Sequence, residues 1–272
     1  MAAQALDVAP SIRVMLWTHA RSRSTAFELA IASEPSIKVF HEQFIVAYFY
    51  GSDRKCSELY LRAPPMSGNA YQEVKNRLET KWTGKRVIFA KDGAFGLGSK
   101  DNYKYLPYGY THTFLIRDPI ASILSLYKCI MKRHPEDEKL AIIKMTIEVG
   151  DFKSLYELYK YVTEEMKQPA IIMESDDLMM YPKETMQKYC LATGIPFSEN
   201  FLHWKPGNVD HFPDFMKEPT FFNIYYKTVV ESTCFQPPTQ SPLDLSELPG
   251  EIKREIENVT MPLYREMARN KL

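Results

Sequence analysis

Cationic and hydroxyl side chains are concentrated in residues 21–25, between an apolar run and a segment whose apolar residues have helical spacing. The members of this segment are Arg21, Ser22, Arg23, Ser24 and Thr25. A hydroxyl residue at a helix start brings its side chain, free backbone N–H groups and the positive end of the helix dipole to one point. The segment therefore predicts an anion site. The alternative is a hydroxyl-capped helix whose arginines merely face water.

The elements that must position these side chains are a short strand before Thr18 and a helix that begins at Ser24 or Thr25. Strand, loop and helix in this order form a phosphate cradle. The usual phosphate-loop pattern, G-x-x-x-x-G-K-[ST], is absent, because residues 15–33 contain neither glycine nor lysine. This absence argues against an ordinary ATP or GTP hydrolase.

The segment resembles the donor loop of the sulfotransferase family, where Pro, Lys or Arg, and Ser-Gly-Thr-Thr follow the first strand and grip the 5′ end of the sulfate donor. Ala20 takes the proline position, Arg21 the basic position, Ser22 the serine position, and Ser24 and Thr25 those of the paired hydroxyls. Arg23 stands where the family has glycine, a residue that lets the backbone approach a phosphate closely.

A second segment resembles the same family. Residues 111–116 predict a strand, and an Arg-Asp-Pro sequence that begins at Arg117 leads into a predicted helix over residues 120–131. In the family, Arg-x-Pro with a serine eight residues after the arginine holds the 3′-phosphate of the donor, and Arg117 and Ser125 have this spacing. Arginine suits the task because its guanidinium bonds two phosphate oxygens at once.

Candidate general bases follow the predicted strand over residues 37–40. His41 and Glu42 fall at its carboxyl end, where open α/β sheets gather their ligands. Glu42 could take the proton of an acceptor hydroxyl, or it could be a first-turn glutamate that favours a helix dipole. Several branches of the resembled family place a catalytic glutamate here. His41 is the second choice, because a lone histidine is more often a hydrogen-bonded bystander.

Residues 85–90 predict another buried strand, ending at Lys91, Asp92 and Gly93. Soluble small-molecule sulfotransferases carry Lys-Thr-His here, with the lysine on the transferring group and the histidine as the base. The resemblance thus gives Lys91 the lysine role, whereas Gly93 replaces the histidine. The base must be elsewhere, which favours Glu42 and leaves Asp92 as a further candidate. Lys91 and Asp92 could instead form a plain salt-bridged strand end.

Later segments add weaker signals. Residues 189–207, which include Gly-Ile-Pro-Phe, resemble bacterial and invertebrate members of the family. Residues 201–238 predict a loop that folds over the donor or acceptor, with Lys205 as its preferred cation. The tyrosine-rich residues 103–110 could line an acceptor pocket, stack on an adenine or only cover the sheet. The acidic residues 174–177 could bind a metal, but the resembled family needs none, and helix capping or contact with a purine is favoured.

Composition sets the remaining limits. The 272 residues, with 34 basic and 34 acidic side chains, suit a single domain over residues 1–272 with no preference for nucleic acid. Four scattered cysteines favour a reducing compartment and a cytoplasmic protein. Residues 1–10 lack a secretory-signal pattern, and no apolar stretch reaches the length of a membrane span. The oligomeric state stays open.

These observations predict a three-layer α/β protein with a mostly parallel sheet of four to five strands between helices. The resemblance implies the phosphate-loop-like sulfotransferase fold. It also implies transfer of a sulfuryl group from 3′-phosphoadenosine 5′-phosphosulfate to a hydroxyl, or less favourably an amine, of a partly apolar small molecule, without a metal. Two alternatives are a phosphate-loop kinase for a small metabolite and a non-catalytic nucleotide-binding protein on the same scaffold.

Overall fold

The computed structural model describes residues 12–57, 64–135, 138–238 and 244–272, so the N-terminal segment examined for a signal lies outside the described residues. Five strands form one sheet: β1 (Ile12–Thr18), β2 (Ile37–His41), β3 (Val87–Gly93), β4 (Thr111–Ile116) and β5 (Ile172–Glu174). Their order is β2-β3-β1-β4-β5, and every pair is parallel. The predicted α/β class with a parallel sheet is confirmed.

Helices cover both faces of the sheet. They are α1 (Ser24–Ala32), α2 (Gln43–Tyr50), α3 (Tyr71–Glu79), α4 (Pro119–Arg133), α5 (Lys139–Val149), α6 (Phe152–Lys160), α7 (Ser175–Met180), α8 (Pro182–Thr193), α9 (Pro219–Tyr225), α10 (Lys227–Val230), α11 (Gly250–Glu255) and α12 (Met261–Ala268). In β1, Val14 and Leu16 pack in the apolar cluster that contains residues of α1 and α8. Met15 and Trp17 pack in a second cluster, with residues of α2, α3 and α6. Side chains alternate along a strand, so a continuous apolar run fills the core on both faces.

The carboxyl ends of β1, β2, β3 and β4 meet at one edge, because parallel strands point the same way. β3 includes Lys91 and Asp92 and ends at Gly93. Lys91 and Asp92 are therefore consecutive residues of a strand, and their side chains point to opposite faces of the sheet. This geometry separates two groups that are adjacent in the sequence.

One further segment differs from expectation. Residues 201–238 contain α9 and α10, whose aromatic and proline-rich composition concealed their helical structure. In the tyrosine-rich segment, Tyr103 and Tyr110 are buried in the core, whereas Tyr108 is exposed. Within the described residues, no helix combines the length and the apolar composition needed to cross a membrane.

Candidate functional site

The predicted anion loop connects β1 to α1, which begins at Ser24. Arg21 and Arg23 adopt left-handed backbone conformations, with φ of 61° and 65°. Such a conformation costs a residue with a Cβ about 1–2 kcal/mol, which explains why glycine also suits the position of Arg23. The first N–H groups of α1 lack intrahelical acceptors, as at every helix start. The loop therefore presents backbone donors and two guanidinium groups at the sheet edge.

The two sequence motifs meet in space. The Arg21 guanidinium donates from Nε to Ser125 Oγ at 3.2 Å and from Nη1 to the Tyr225 carbonyl oxygen at 2.8 Å. The Arg117 guanidinium donates to the carbonyl oxygen of Arg21 at 2.7 Å. Arg21 and Arg117 also line one cavity of about 720 Å³. Residues about 100 positions apart thus form a single cationic site.

Two buried polar atoms in these motifs have no hydrogen-bond partner among the described residues. They are Ser22 Oγ and Arg117 Nε. Buried polar groups are normally satisfied, and Arg117 lines the cavity, so its unpaired donor fits a bound anion such as a phosphate, whereas Ser22 does not line the cavity. Burial and the nearby Arg23 and Arg21 lower the pKa of Arg117 to about 10. The guanidinium stays charged at neutral pH, as phosphate binding requires.

Other predicted donor-binding residues are placed differently. Arg23 forms an ion pair with Asp176 and lies 3.5 Å from Ser175 Oγ. Asp176 lies in the first turn of α7. The Glu174 carboxylate caps this helix by accepting from the Asp176 N–H at 2.8 Å. Lys205 is exposed and does not line the cavity, whereas Lys227 does. The acidic segment therefore caps a helix and pairs with the anion loop, and no group of residues that could hold a metal was found in the described parts of the chain.

Glu42 brings a carboxylate to the same cavity. Glu42 lies between the end of β2 and the start of α2, and its backbone is left-handed, with φ of 48°. Its Oε1 lies 2.6 Å from Lys91 Nζ, and its Oε2 accepts from the Tyr226 hydroxyl at 3.0 Å. Burial opposes ionisation, but Lys91 and His41 lower the pKa of Glu42 below its ordinary value. Glu42 is therefore held as a carboxylate, and 16% of its side chain is exposed.

A buried ionic cluster supports Glu42 from the core. Lys91 and Glu28 are fully buried, and Lys91 Nζ lies 3.2 Å from Glu28 Oε2. His41 is equally buried, and its Nδ1 lies 2.9 Å from both carboxylate oxygens of Glu28. Neither Lys91 nor His41 lines the cavity. Lys91 therefore contacts Glu42, which lines the cavity, but does not itself face the space where a transferring group would lie.

Asp92 lies on the opposite face of β3. Its carboxylate accepts from the N–H groups of Phe44 at 2.6 Å and Ile45 at 3.1 Å, at the start of α2. Burial raises the pKa of Asp92 to about 8, although these backbone donors favour its ionised form. Asp92 does not line the cavity. Its geometry is that of a helix-capping group.

Apolar side chains form most of the remaining cavity wall. They include Ile45, Phe49, Phe95, Leu126, Phe215 and Phe221. Tyr225 and Tyr226, at the junction of α9 and α10, also line it. The cavity therefore combines cationic groups, one carboxylate and a large apolar surface, a composition typical of small-molecule sites.

Comparison with known proteins identifies the family. A model of the sulfotransferase domain matches residues 12–270. The chain belongs to the sulfotransferase family. The sulfotransferase domain from the Synechococcus PCC 7002 olefin synthase resembles this sulfotransferase with a TM-score of 0.54 and 14% identity, over 97% of this chain and 98% of that one. A sulfotransferase from Alicyclobacillus acidocaldarius has a TM-score of 0.54 and 12% identity, over 96% of this chain and 95% of that one. The TM-scores show a shared fold, and at these low identities the likeness shows the fold alone.

Two curated relatives of this sulfotransferase come from Arabidopsis thaliana. They are branched-chain-amino-acid aminotransferase-like proteins 1 and 2, each 25% identical to it over 83% of this chain. The chain matches 37% and 36% of the length of these proteins.

Sequence reasoning for this sulfotransferase missed Glu28, which contacts Lys91 and His41, and Tyr226, which contacts Glu42. Glu28 interrupts an otherwise apolar run over residues 26–31, and a charge on a buried helix face is a usable signal. Tyr226 gave no comparable signal, because it is one of many aromatic residues in residues 201–238. Its placement depends on α9 and α10.

We expect the sulfotransferase to lose stability as the pH falls below about 6.5, partly through His19. Burial and Arg117 lower the pKa of His19 in the folded protein to about 3. Between these two pH values the unfolded chain binds a proton that the folded chain does not, so the unfolding free energy decreases with decreasing pH. In His19→Gln, the unfolding free energy measured by urea denaturation should depend less steeply on pH between pH 7.5 and pH 4.5. The difference in slope should be up to about 1.4 kcal/mol per pH unit. The exposed His203→Gln serves as the control, and equal slopes in both variants would contradict the assignment.

Proposed function

We propose that this sulfotransferase transfers a sulfuryl group from 3′-phosphoadenosine 5′-phosphosulfate to a hydroxyl of a small, partly apolar molecule. The observation that carries the proposal is the convergence of Arg21, Arg117 and Glu42 on one cavity. The first two residues belong to separate segments that resemble the phosphate-binding motifs of the family, and the third supplies a carboxylate to the same cavity. A donor with phosphates at two ends requires two such motifs, whereas ATP does not.

The donor supplies the sulfuryl group, and the chain's own residues bind and orient it. Arg117 and Ser125 would hold the 3′-phosphate. Residues 21–25 and the first N–H groups of α1 would hold the 5′-phosphate, where Ser22 Oγ is buried and unpaired. Arg21 would stabilise charge at the bridging oxygen, an effect worth about 3 kcal/mol for a well-placed donor. Glu42 would accept the proton of the attacking hydroxyl.

Lys91 is proposed to act through Glu42. Its ammonium lies between Glu42 and Glu28 and holds the Glu42 carboxylate in its ionised form. The acceptor would occupy the apolar part of the cavity, beside Ile45, Phe49 and Phe95. Apolar contacts of this kind place a hydroxyl near Glu42 without an ionic anchor.

The proposal is tested by binding and transfer together. We expect 3′-phosphoadenosine 5′-phosphate to raise the melting temperature more than ATP, ADP or adenosine 5′-phosphate does. Arg117→Ala should weaken binding of the bisphosphate by roughly 10-fold or more, as loss of a charge-assisted hydrogen bond predicts, and binding of adenosine 5′-phosphate much less. Equal losses for both nucleotides would contradict the assigned 3′-phosphate site.

Transfer of radiolabelled sulfate from the donor into a metabolite extract then tests the chemistry. A labelled product would also begin to identify the acceptor. Binding of the bisphosphate without transfer would instead support a non-catalytic nucleotide-binding protein. Magnesium-dependent transfer from ATP would support a kinase.

A further inference from the structure

A line of buried polar groups leads from Glu42 into the core. The Tyr226 hydroxyl lies 3.0 Å from Glu42 Oε2 and 3.2 Å from His41 Nε2. The other ring nitrogen, Nδ1, lies 2.9 Å from both oxygens of Glu28. Glu28 and His41 are fully buried, whereas Tyr226 and Glu42 line the cavity. The line therefore has an open end at the cavity and a closed end in the core.

Hydrogen-bond chemistry fixes the tautomer of His41. An ionised carboxylate only accepts hydrogen bonds, so Nδ1 carries a proton and donates it to Glu28. Nε2 of the neutral ring then has a free lone pair directed at the Tyr226 hydroxyl. That hydroxyl has one proton and two acceptors within reach, Glu42 Oε2 and His41 Nε2. Stacking of the imidazole on Phe212, at 3.7 Å between ring centroids, holds the ring in this orientation.

We propose that the Tyr226 hydroxyl passes the acceptor's proton from Glu42 to His41, which Glu28 holds as the terminal proton acceptor. The proposal rests on the proposed function and extends it, because it assigns positioning and relay roles to residues behind the base. His41 was a candidate base by sequence. The geometry gives it that role behind Glu42, since its own side chain does not reach the cavity, and the Tyr226 hydroxyl lies nearer to His41 Nε2 than Glu42 Oε2 does, at 3.2 Å against 3.5 Å.

The proton balance of the relay is complete. As the acceptor oxygen bonds to sulfur and the donor's S–O bond breaks, the electron pair of that bond stays on the 5′-phosphate oxygen. The acceptor's proton goes to Glu42 Oε2. The Tyr226 oxygen takes this proton while its own proton moves to His41 Nε2. The step ends with an ionised Glu42, a neutral tyrosine and an imidazolium beside Glu28. His41 then returns the proton to water through Tyr226 and Glu42.

Charged groups act on the proton at both ends of the relay. Lys91 Nζ lies 2.6 Å from Glu42 Oε1, so a proton left on Glu42 would sit beside an ammonium group. Burial lowers the pKa of His41 below its ordinary value, and Lys91 acts in the same direction, whereas the negative charge of Glu28 acts toward an imidazolium. Two more titratable groups lie beside Glu28: Lys91 Nζ is 3.2 Å from Oε2, and His211 Nε2 is 2.7 Å from Oε1. Glu28, Glu42, Lys91, Tyr226 and His211 are thus the groups that set the protonation of His41.

A proton inventory tests the relay. Single-turnover transfer rates are measured in mixtures of H₂O and D₂O with the full chain, the sulfate donor and an acceptor found in the transfer assay. Two protons that move together give a curved dependence on the deuterium fraction, which we expect for the wild-type protein. Tyr226→Phe should lower the rate by roughly 10-fold to 100-fold and make the dependence linear.

A matched control is Tyr189→Phe, which removes a buried tyrosine hydroxyl that bonds Thr113 3.0 Å away and lies outside the cavity. This variant should keep the curved dependence. A linear dependence in the wild-type protein would refute the relay without any variant, and so would curvature retained in Tyr226→Phe. Absence of any transfer by the wild-type protein would refute the proposed function itself, on which the relay depends.

Discussion

Glu42→Gln is expected to lower the turnover number by about 10²–10⁴-fold, the range for loss of a general base. The amide keeps the size of the side chain and can still contact Lys91 and Tyr226, which lie within 3.0 Å of the carboxylate. It cannot accept the proton of an attacking hydroxyl. Steady-state rates at saturating acceptor, together with the dissociation constant of 3′-phosphoadenosine 5′-phosphate, separate catalysis from binding. We expect the dissociation constant to stay nearly unchanged.

Glu148→Gln provides the matched control for this substitution. Glu148 Oε1 also accepts from a tyrosine hydroxyl, that of Tyr48 at 2.8 Å, but Glu148 does not line the cavity. Its amide variant should retain turnover. Normal turnover in Glu42→Gln would transfer the role of base to His41 or Asp92, and His41→Asn and Asp92→Asn would then distinguish the two.

Lys91→Met is expected to lower the unfolding free energy by about 3–5 kcal/mol, because removal of one partner leaves a buried charge uncompensated. Lys91 is fully buried and lies within 3.2 Å of Glu28 and Glu42. Without the ammonium, two carboxylates share one buried site, so one of them should take up a proton at a higher pH. The loss of stability should therefore be smaller at pH 5.5 than at pH 8. Urea denaturation at both values measures it.

Lys183→Met is the control for this second prediction. Lys183 pairs with Glu199 on the surface, where both side chains are more than half exposed, at 56% and 66%. Surface pairs contribute little to stability, so this variant should unfold like the wild-type protein. If Lys91→Met were as stable as Lys183→Met at pH 8, the buried cluster would not have the ionisation assigned to it.

The donor-binding motifs could be predicted from the sequence because each is local. The apolar run of β1 and the helical spacing of α1 bracket residues 21–25, and β4 precedes Arg117 in the same way. Parallel strands bring their carboxyl ends to one edge, so two such segments were expected to meet. The structure places Arg117 within 2.7 Å of the Arg21 carbonyl oxygen. Their binding roles remain proposals.

The sequence alone determined the fold class and the two cationic motifs, because periodicity and short spacings report local structure, and the resemblance of these motifs to a known family indicated the family. Only the tertiary structure decided what surrounds Glu42. β3 lies between β1 and β2, and its alternate side chains lie on opposite faces of the sheet. Lys91 therefore lies on the face where it pairs with Glu28, whereas Asp92 lies on the other face. Tyr226 reaches His41 across 185 positions of the chain. Contacts of this range depend on strand order and helix packing, which no local pattern encodes.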